Sequence, residues 1–290
     1  TRIIRGFIFW ILVQPSSLLY YGIQVPEIEY ILSFLLLGSV IGFVAGLLGV
    51  GGGGIMVPVL TTIFLHQGVP VDKVVHLALG TSLASIVFTS LSSLLAHHAK
   101  GGVIWPIVRQ MAVGVLIGAF SATFIAASLS SLYLTIFFSL FMAYVSVQMF
   151  MDKKSSKDKP GAMELFLGGT GIGAISALVS IGGASLTIPF LVNRQIDIKQ
   201  AIGTSAAIGL PISVAGTLGY VINGWSHTSV DGLTFGFIYL PAVLLISIVG
   251  FISAPYGARL AHHLPVPILK KIFSIMLILL SIKMLHSIVY

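Results

Sequence analysis

The sequence predicts an all-α, polytopic membrane protein made of two inverted repeats and one extra N-terminal helix. Each repeat is expected to contain one broken, re-entrant segment kinked at glycine and three transmembrane helices. Three observations favour this fold: the chain is very apolar, a glycine-rich stretch occurs twice within apolar runs, and the basic residues lie in short connectors.

The apolar composition indicates the class of protein. Of 290 residues, 57% are hydrophobic and 8% are charged, whereas a typical soluble domain has about 25% charged residues. The apolar runs are continuous over about 20 residues, which favours membrane helices over a barrel of alternating strands. The formal net charge is +7, but no basic face with interleaved aromatic residues is present. The expected partner is therefore the lipid bilayer and not a nucleic acid. Cysteine is absent, which excludes disulfides and thiolate metal sites.

The N-terminal apolar run extends from Ile3 to Tyr21 and follows Arg2 and Arg5. It resembles a signal peptide, but no small-x-small cleavage pattern occurs before Pro26. We therefore expect a retained transmembrane helix, followed by a connector on the outside of the membrane.

The strongest local feature is Leu47–Pro58, a run of glycines interrupted by Val50 and followed by a short apolar stretch. A weaker copy lies at Leu178–Pro189. Glycine costs about 1 kcal/mol relative to alanine inside a helix, so both stretches predict a kink. Each kink precedes a short helix whose first N–H groups lack partners within the helix and can hold an anion. The alternative is that these glycines only allow helices to pack closely.

The two halves of the chain repeat each other. Shifts of 131 and 123 residues align two motifs in the same order: Gly51-Gly52 with Gly182-Gly183, and Gly80-Thr81-Ser82 with Gly203-Thr204-Ser205. Paired broken segments of this kind are typical of transporters with inverted repeats. The predicted units are residues 1–29, the N-terminal helix and outer connector; residues 30–151, the first repeat; residues 152–162, a cytoplasmic linker; and residues 163–290, the second repeat.

The positions of lysine and arginine predict the orientation. The linker is expected in the cytoplasm because it contains Lys153, Lys154, Lys157 and Lys159. Arg194 and Lys199 place the far end of segment 163–192 on the same side, which predicts a re-entrant hairpin with arms of about 15 residues. The same treatment makes segment 30–65 a hairpin that enters from the outside. The alternative is that each segment crosses once and violates the positive-inside rule weakly. The N-terminus is then cytoplasmic and the C-terminus outside, in the cell inner (plasma) membrane.

Hydroxyl side chains near the kinks are the other candidate ligands of an anion. Thr81, Ser82, Thr204 and Ser205 can donate to its oxygens without the cost of burying a cation, although they could instead bond to their own helices. Ser185 and Thr187 are weaker candidates of the same kind. The full candidate set is Gly51, Gly52, Gly53, Gly54, Thr81, Ser82, Gly182, Gly183, Ala184, Ser185, Thr204 and Ser205.

No residue pattern predicts an enzyme, a metal site or a cofactor. No carboxylate falls inside an apolar run, and histidines such as His76 and His97 are expected at the membrane interface. Gly183-Ala184-Ser185 lacks the Gly-x-Ser-x-Gly pattern of a hydrolase nucleophile.

The stretch Gly42-Phe-Val-Ala-Gly-Leu-Leu-Gly-Val-Gly-Gly-Gly, with Val57-Pro58 and the first Gly-Thr-Ser triplet after it, resembles the TauE/SafE family of sulfite and organosulfur anion exporters. The resemblance covers about residues 34–290. It implies a bacterial or archaeal permease for sulfite, sulfonates or related anions. Two departures in the second half are Ala177 in place of Gly46 and Ser180 in place of Gly49. A more distant group of thiosulfate importers relies on cysteines, which this chain lacks.

These observations together predict a secondary transporter that exports a small anion by alternating access at the interface between the repeats. The anion is expected to be sulfite, a sulfonate such as sulfoacetate, or a related oxyanion. The alternatives are an anion channel of the same specificity and a membrane scaffold subunit that does not transport. The sequence leaves a homodimer open.

Overall fold

The computed structural model describes residues 27–48, 52–150, 160–225, 233–260 and 266–289. The predicted N-terminal helix at 3–21, residues 152–159 of the predicted linker and Gly51 lie outside these ranges. Within the ranges the helices are α1 (Ile28–Leu48), α2 (Gly53–His66), α3 (Val71–His98), α4 (Trp105–Ser128), α5 (Ser131–Phe150), α6 (Ala162–Val179), α7 (Ala184–Val192), α8 (Ile198–Gly224), α9 (Leu240–Leu260) and α10 (Val266–Val289).

The all-helical prediction is confirmed, and the chain is a multi-pass membrane protein. In the described ranges, seven helices are long and apolar enough to cross a membrane, namely α1, α3, α4, α5, α6, α8 and α9. Each half contains one broken segment, α1 with α2 or α6 with α7, followed by three continuous helices.

The broken segment of the first half folds back on itself. Tyr30, near the start of α1, donates a hydrogen bond from its hydroxyl to the carbonyl of His66 at the end of α2, over 3.5 Å. Phe34 of α1 and Phe64 of α2 both pack on the ring of Tyr239, with centroid distances of 6.2 and 5.6 Å. The two ends of the segment therefore lie side by side, as the hairpin prediction requires.

The second broken segment makes the same turn. Glu164, in the first turn of α6, forms a salt bridge with Arg194, just past the end of α7. A methyl group on Gly168 would lie 2.9 Å from the ring of Phe190, so α7 returns along α6. The predicted arm length of about 15 residues is wrong for three of the four arms, because the kink does not lie at the middle of either segment. Helices α1 and α6 have 21 and 18 residues, and the returning helices α2 and α7 have 14 and 9.

The most extensive helix contacts are made between the two halves of the chain. The most extensive helix pairs are α4 with α6 and α1 with α9, so the first helix of each half packs on the fourth helix of the other half. Helices α3 and α8 pack on each other, as do α5 and α10.

The contacts between α3 and α8 run in reversed order along the two helices. Methyl groups built on Gly80, Gly209 and Gly216 would lie near Tyr220, Ser90 and Leu83, respectively. These equivalent helices are therefore antiparallel.

Small residues make the α1–α9 pair close. Gly38, Gly42 and Gly46 recur every four residues on one face of α1. A methyl group on any of them would collide with backbone atoms of α9, for example the carbonyl of Ala254 opposite Gly46. Close packing, the alternative role considered for glycine, is therefore the role of these three glycines.

Candidate anion-binding site at the helix breaks

The two breaks have the same backbone geometry. Gly52 precedes α2 with φ +77°, and Gly183 precedes α7 with φ +78°. This left-handed conformation suits glycine, which has no Cβ to collide with the following carbonyl. The left-handed glycine changes the direction of the chain between the first helix and the short helix that follows. Because this conformation favours glycine, the glycine runs predicted the positions of both breaks.

The two breaks touch each other inside the protein. A methyl group on Gly53 would collide with the carbonyl of Ser180, so the first turn of α2 rests against the end of α6. Gly53, Gly182 and Gly183 are all buried. The two kinks therefore meet where the first half contacts the second half.

At the start of α2, two backbone amide groups have no hydrogen-bond partner among the described residues. Ile55 and Met56 donate the first hydrogen bonds of the helix to the carbonyl of Gly52, both over 3.1 Å. The N–H groups of Gly53 and Gly54 come before these bonds and point out of the helix end, where the helix dipole is positive.

The start of α7 repeats this arrangement. Leu186 and Thr187 donate to the carbonyl of Gly183 over 3.1 and 2.7 Å. The N–H groups of Ala184 and Ser185 precede them and form the positive end of the second short helix.

The middles of α3 and α8 flank the second break. A methyl group on Gly209 of α8 would lie 2.8 Å from the carbonyl of Gly182 and 3.1 Å from the hydroxyl oxygen of Ser90 on α3. The break is thus enclosed by both halves of the molecule.

The two predicted threonines connect the halves. The hydroxyl of Thr81 accepts a hydrogen bond from the backbone N–H of Tyr239 over 2.9 Å. The hydroxyl of Thr204 accepts from the N–H of Ile104 over 3.0 Å. In each case a fully buried threonine holds the connector that precedes the fourth helix of the other half. Each hydroxyl keeps one hydrogen that it can still donate.

The two predicted serines differ from each other. Ser205 donates to the carbonyl of Ile202 over 2.8 Å, a bond within its own helix. The hydroxyl of Ser82 is buried and has no hydrogen-bond partner among the described residues. Gly209, beside the second break, follows Thr204 by five residues, a rise of about 7.5 Å. The structure therefore places the triplet of α8 between one and two turns from the break and not against it.

Two hydroxyls at the second break were missed by the sequence prediction. Ser176 and Ser180 are buried within four residues of the break, and their oxygens have no partner in the described part of the chain. The sequence did contain one indication of these hydroxyls, because Ser180 occupies the position at which the first half has Gly49.

His76 and His97, which were expected at the membrane interface, lie near the two ends of α3 and are buried among neighbouring helices. The Nε2 atom of His97 lies 3.2 Å from the carbonyl of Gly46, one turn before the first break. Tyr220, at the equivalent position of α8, donates from its hydroxyl to the carbonyl of Ala177 over 3.3 Å. Both side chains hold the end of the outgoing helix in place.

Comparison with known proteins gives a consistent result. The family model described as "Sulfite exporter TauE/SafE" matches residues 34–284. A probable membrane transporter protein of Haemophilus influenzae is 36% identical over 260 residues, which cover 88% of this chain and 98% of that protein. The probable membrane transporter protein YdhB of Bacillus subtilis is 29% identical, over 83% of this chain and 92% of that protein. A probable membrane transporter protein of Methanocaldococcus jannaschii is 27% identical, over 81% and 88%. No solved structure gives a significant match.

Proposed function

This chain belongs to the TauE/SafE family of sulfite exporters, a family of membrane transporters, and we propose that it exports a small anion such as sulfite or a sulfonate. The anion binds where the two helix breaks meet, and alternating access at the interface of the repeats carries it across the membrane. The protein is a carrier and not an enzyme. The observation that supports this proposal best is the contact between the breaks, each started by a left-handed glycine, Gly52 or Gly183.

The chemistry of the breaks suits an anion. The free N–H groups at the starts of α2 and α7 carry partial positive charge and act in a low-dielectric interior, where such dipoles are effective. Backbone that is not helical is tolerated at membrane depth only where it is buried in protein or lines a polar cavity. Duplicated breaks at the interface of two repeats are the usual location of substrate sites in secondary transporters.

The packing supports a carrier mechanism. The close approach of Gly53 to the carbonyl of Ser180 closes the centre in this conformation, so the substrate must separate the two hairpins to enter or leave. The antiparallel packing of α3 on α8 supports an inverted relation between the halves. In that relation, an exchange of roles between the halves turns an inward-open state into an outward-open one.

We place the protein in the cell inner membrane with the 152–162 linker in the cytoplasm, as the positive-inside rule indicates. Because no carboxylate lies in the middle of the described helices, the driving force is the membrane potential or a proton carried by the substrate. Moving one charge across the field is worth about 2.3 kcal/mol per 100 mV, which is sufficient for export. Labelling of single cysteines introduced at Gly68 and Lys157 tests this orientation: the first is expected to react from outside, the second only after permeabilisation.

Transport by the purified chain in liposomes tests the function. Vesicles loaded with sulfite or sulfoacetate should release it at a rate that saturates with concentration and rises when anion is added on the other side. Single-channel currents would instead indicate the channel alternative. Anion-dependent thermal stabilisation is a simpler first measurement, and its absence for sulfite, sulfoacetate and a panel of sulfonates would contradict a binding site.

A further inference from the structure

Buried hydroxyls without partners are concentrated at the second break. The side chains of Ser176, Ser180 and Thr187 are at most 1% exposed, and their oxygens have no hydrogen-bond partner in the described part of the chain. The oxygen of Ser185 is buried in the same way. All four residues lie within six positions of Gly182. Unpaired hydroxyls are costly in an apolar interior, so a cluster of them indicates a polar ligand.

One of these hydroxyls is directed at the start of α7. The Oγ1 atom of Thr187 lies 3.5 Å from the position that a methyl group on Gly183 would occupy. It therefore faces the same helix end as the free N–H groups of Ala184 and Ser185. Hydroxyls and N–H groups together form a set of hydrogen-bond donors, which is the arrangement that an oxyanion requires.

The first break has no such set. With the shift of 131 residues between the halves, the four hydroxyl residues correspond to residues without a hydroxyl in the first half, namely Ala45, Gly49, Gly54 and Met56. The start of α2 also faces the carbonyl of Ser180, an acceptor supplied by the protein itself. The hydroxyl donors therefore belong to the second break and have no counterparts at the equivalent positions of the first.

The second break also lacks a full charge from acidic or basic residues. In α2, α3, α6, α7 and α8, Asp, Glu, Lys and Arg occur only in the first turns, at Asp72, Lys73, Glu164 and Lys199. The cost of transferring an ion from water into the protein grows with the square of its charge, and neutral donors compensate only part of it. A site of this composition discriminates against a second negative charge.

We propose that the second break supplies all the side-chain donors for the substrate, namely Ser176, Ser180, Ser185 and Thr187, and that the site takes a singly charged oxyanion in preference to a doubly charged one. This inference rests on the proposed function, since it specifies the ligands and the charge of the same transported anion. Hydrogensulfite and monosulfonates belong to the preferred class, and sulfite in its doubly charged form and sulfate do not.

Matched pairs of anions test the charge preference on the purified full-length chain. We expect methanesulfonate to bind at least tenfold tighter than sulfate, and isethionate at least tenfold tighter than sulfoacetate, by calorimetry. Equal binding within the pairs, or tighter binding of the doubly charged member, would overturn the inference and leave the proposed function intact. If none of the four anions binds and sulfite does not bind either, the proposed function itself is contradicted.

Variants test the location of the site with methanesulfonate as the probe. Thr187→Val and Ser176→Ala should each weaken binding roughly tenfold or more, because each removes a hydrogen bond to a charged ligand. Thr61→Val and Ser247→Ala are matched controls, since these hydroxyls are equally unpaired and buried but lie on α2 and α9 away from the second break. Thermal unfolding verifies that all four variants fold. Equal losses in variants and controls, or no loss in either, would show that the second break does not hold the anion.

Discussion

Replacement of Gly183 by alanine should destabilise the protein more than the same replacement at Gly68, a left-handed glycine in open surroundings. With φ at +78°, an alanine here costs about 1–2 kcal/mol in backbone strain. The new methyl would also lie 2.5 Å from Cδ1 of Ile212 on α8, and because only the end of that buried side chain must shift, overpacking adds about 1 kcal/mol. We therefore expect a total loss of about 2–3 kcal/mol for Gly183→Ala.

Two other glycines separate the contributions. Gly68 has φ +80° but no atom within 4 Å of an added methyl, so Gly68→Ala should lose only the strain of about 1–2 kcal/mol. Gly171 lies inside α6 with no atom within 4 Å of an added methyl, and alanine there should gain up to about 1 kcal/mol in helix propensity. The expected order of stability is Gly171→Ala, wild type, Gly68→Ala and then Gly183→Ala.

Thermal unfolding in detergent, followed by circular dichroism at a helix wavelength, measures this order. If Gly183→Ala and Gly68→Ala unfold at the same temperature, the close contact with Ile212 is wrong. If Gly183→Ala is as stable as the wild type, the left-handed start of α7 is wrong, and with it the geometry on which the binding site depends.

The remaining predictions concern the contacts that hold the hairpins and the halves together. In this cysteine-free chain, Glu164→Cys combined with Arg194→Cys should be joined by a bifunctional thiol reagent whose span matches the two side chains of the salt bridge that it replaces; failure of this pair would contradict the fold-back of α7. Thr81→Val and Thr204→Val should each lower stability by about 1–3 kcal/mol, since each leaves a backbone N–H unpaired, whereas threonine-to-serine variants should lose less; a large difference between the two valine variants would contradict their equivalent roles. Thr204→Val should leave the affinity for the transported anion unchanged, since the proposed side-chain donors lie at the second break; a large loss would place Thr204 in the binding site. Tyr220→Phe should cost about 0.5–1.5 kcal/mol through its lost hydrogen bond, and an unchanged unfolding temperature would contradict the tether to α6.

The sequence predicted the breaks because their cause is local. A glycine run and a left-handed φ are properties of a few consecutive residues, so Gly52 and Gly183 could be located without any tertiary information. The hairpins were predictable for a similar reason, because Arg194 and the lysines of the linker lie at opposite ends of one segment and both favour the cytoplasm. The predicted arm lengths were wrong because the prediction assumed two equal arms in each segment, although the glycines lie nearer to the C-terminal end of the segment.

The pairing of helices could not be predicted from the same data. The spacing of Gly38, Gly42 and Gly46 indicates that α1 packs closely against some helix. It does not specify α9, which begins about 200 positions later. The role of Thr81 was hidden in the same way, since its partner, the N–H of Tyr239, is 158 positions away. Sequence reasoning could identify a buried hydroxyl but not the group that it bonds.

The symmetry of the scaffold and the asymmetry of the proposed site meet different requirements. Alternating access needs the two hairpins to exchange positions at similar energy, and this requires duplicated geometry. The left-handed glycines, the threonines that connect the halves and the tethers are all duplicated, even though the first tether uses His97 and the second Tyr220. Binding of one small anion requires only one set of donors. Ser180 has a left-handed φ of 50°, a conformation that favours glycine. The first half has a glycine at this position, whereas the second half has a hydroxyl. The donors therefore belong to one hairpin and move with it as the site opens to either side.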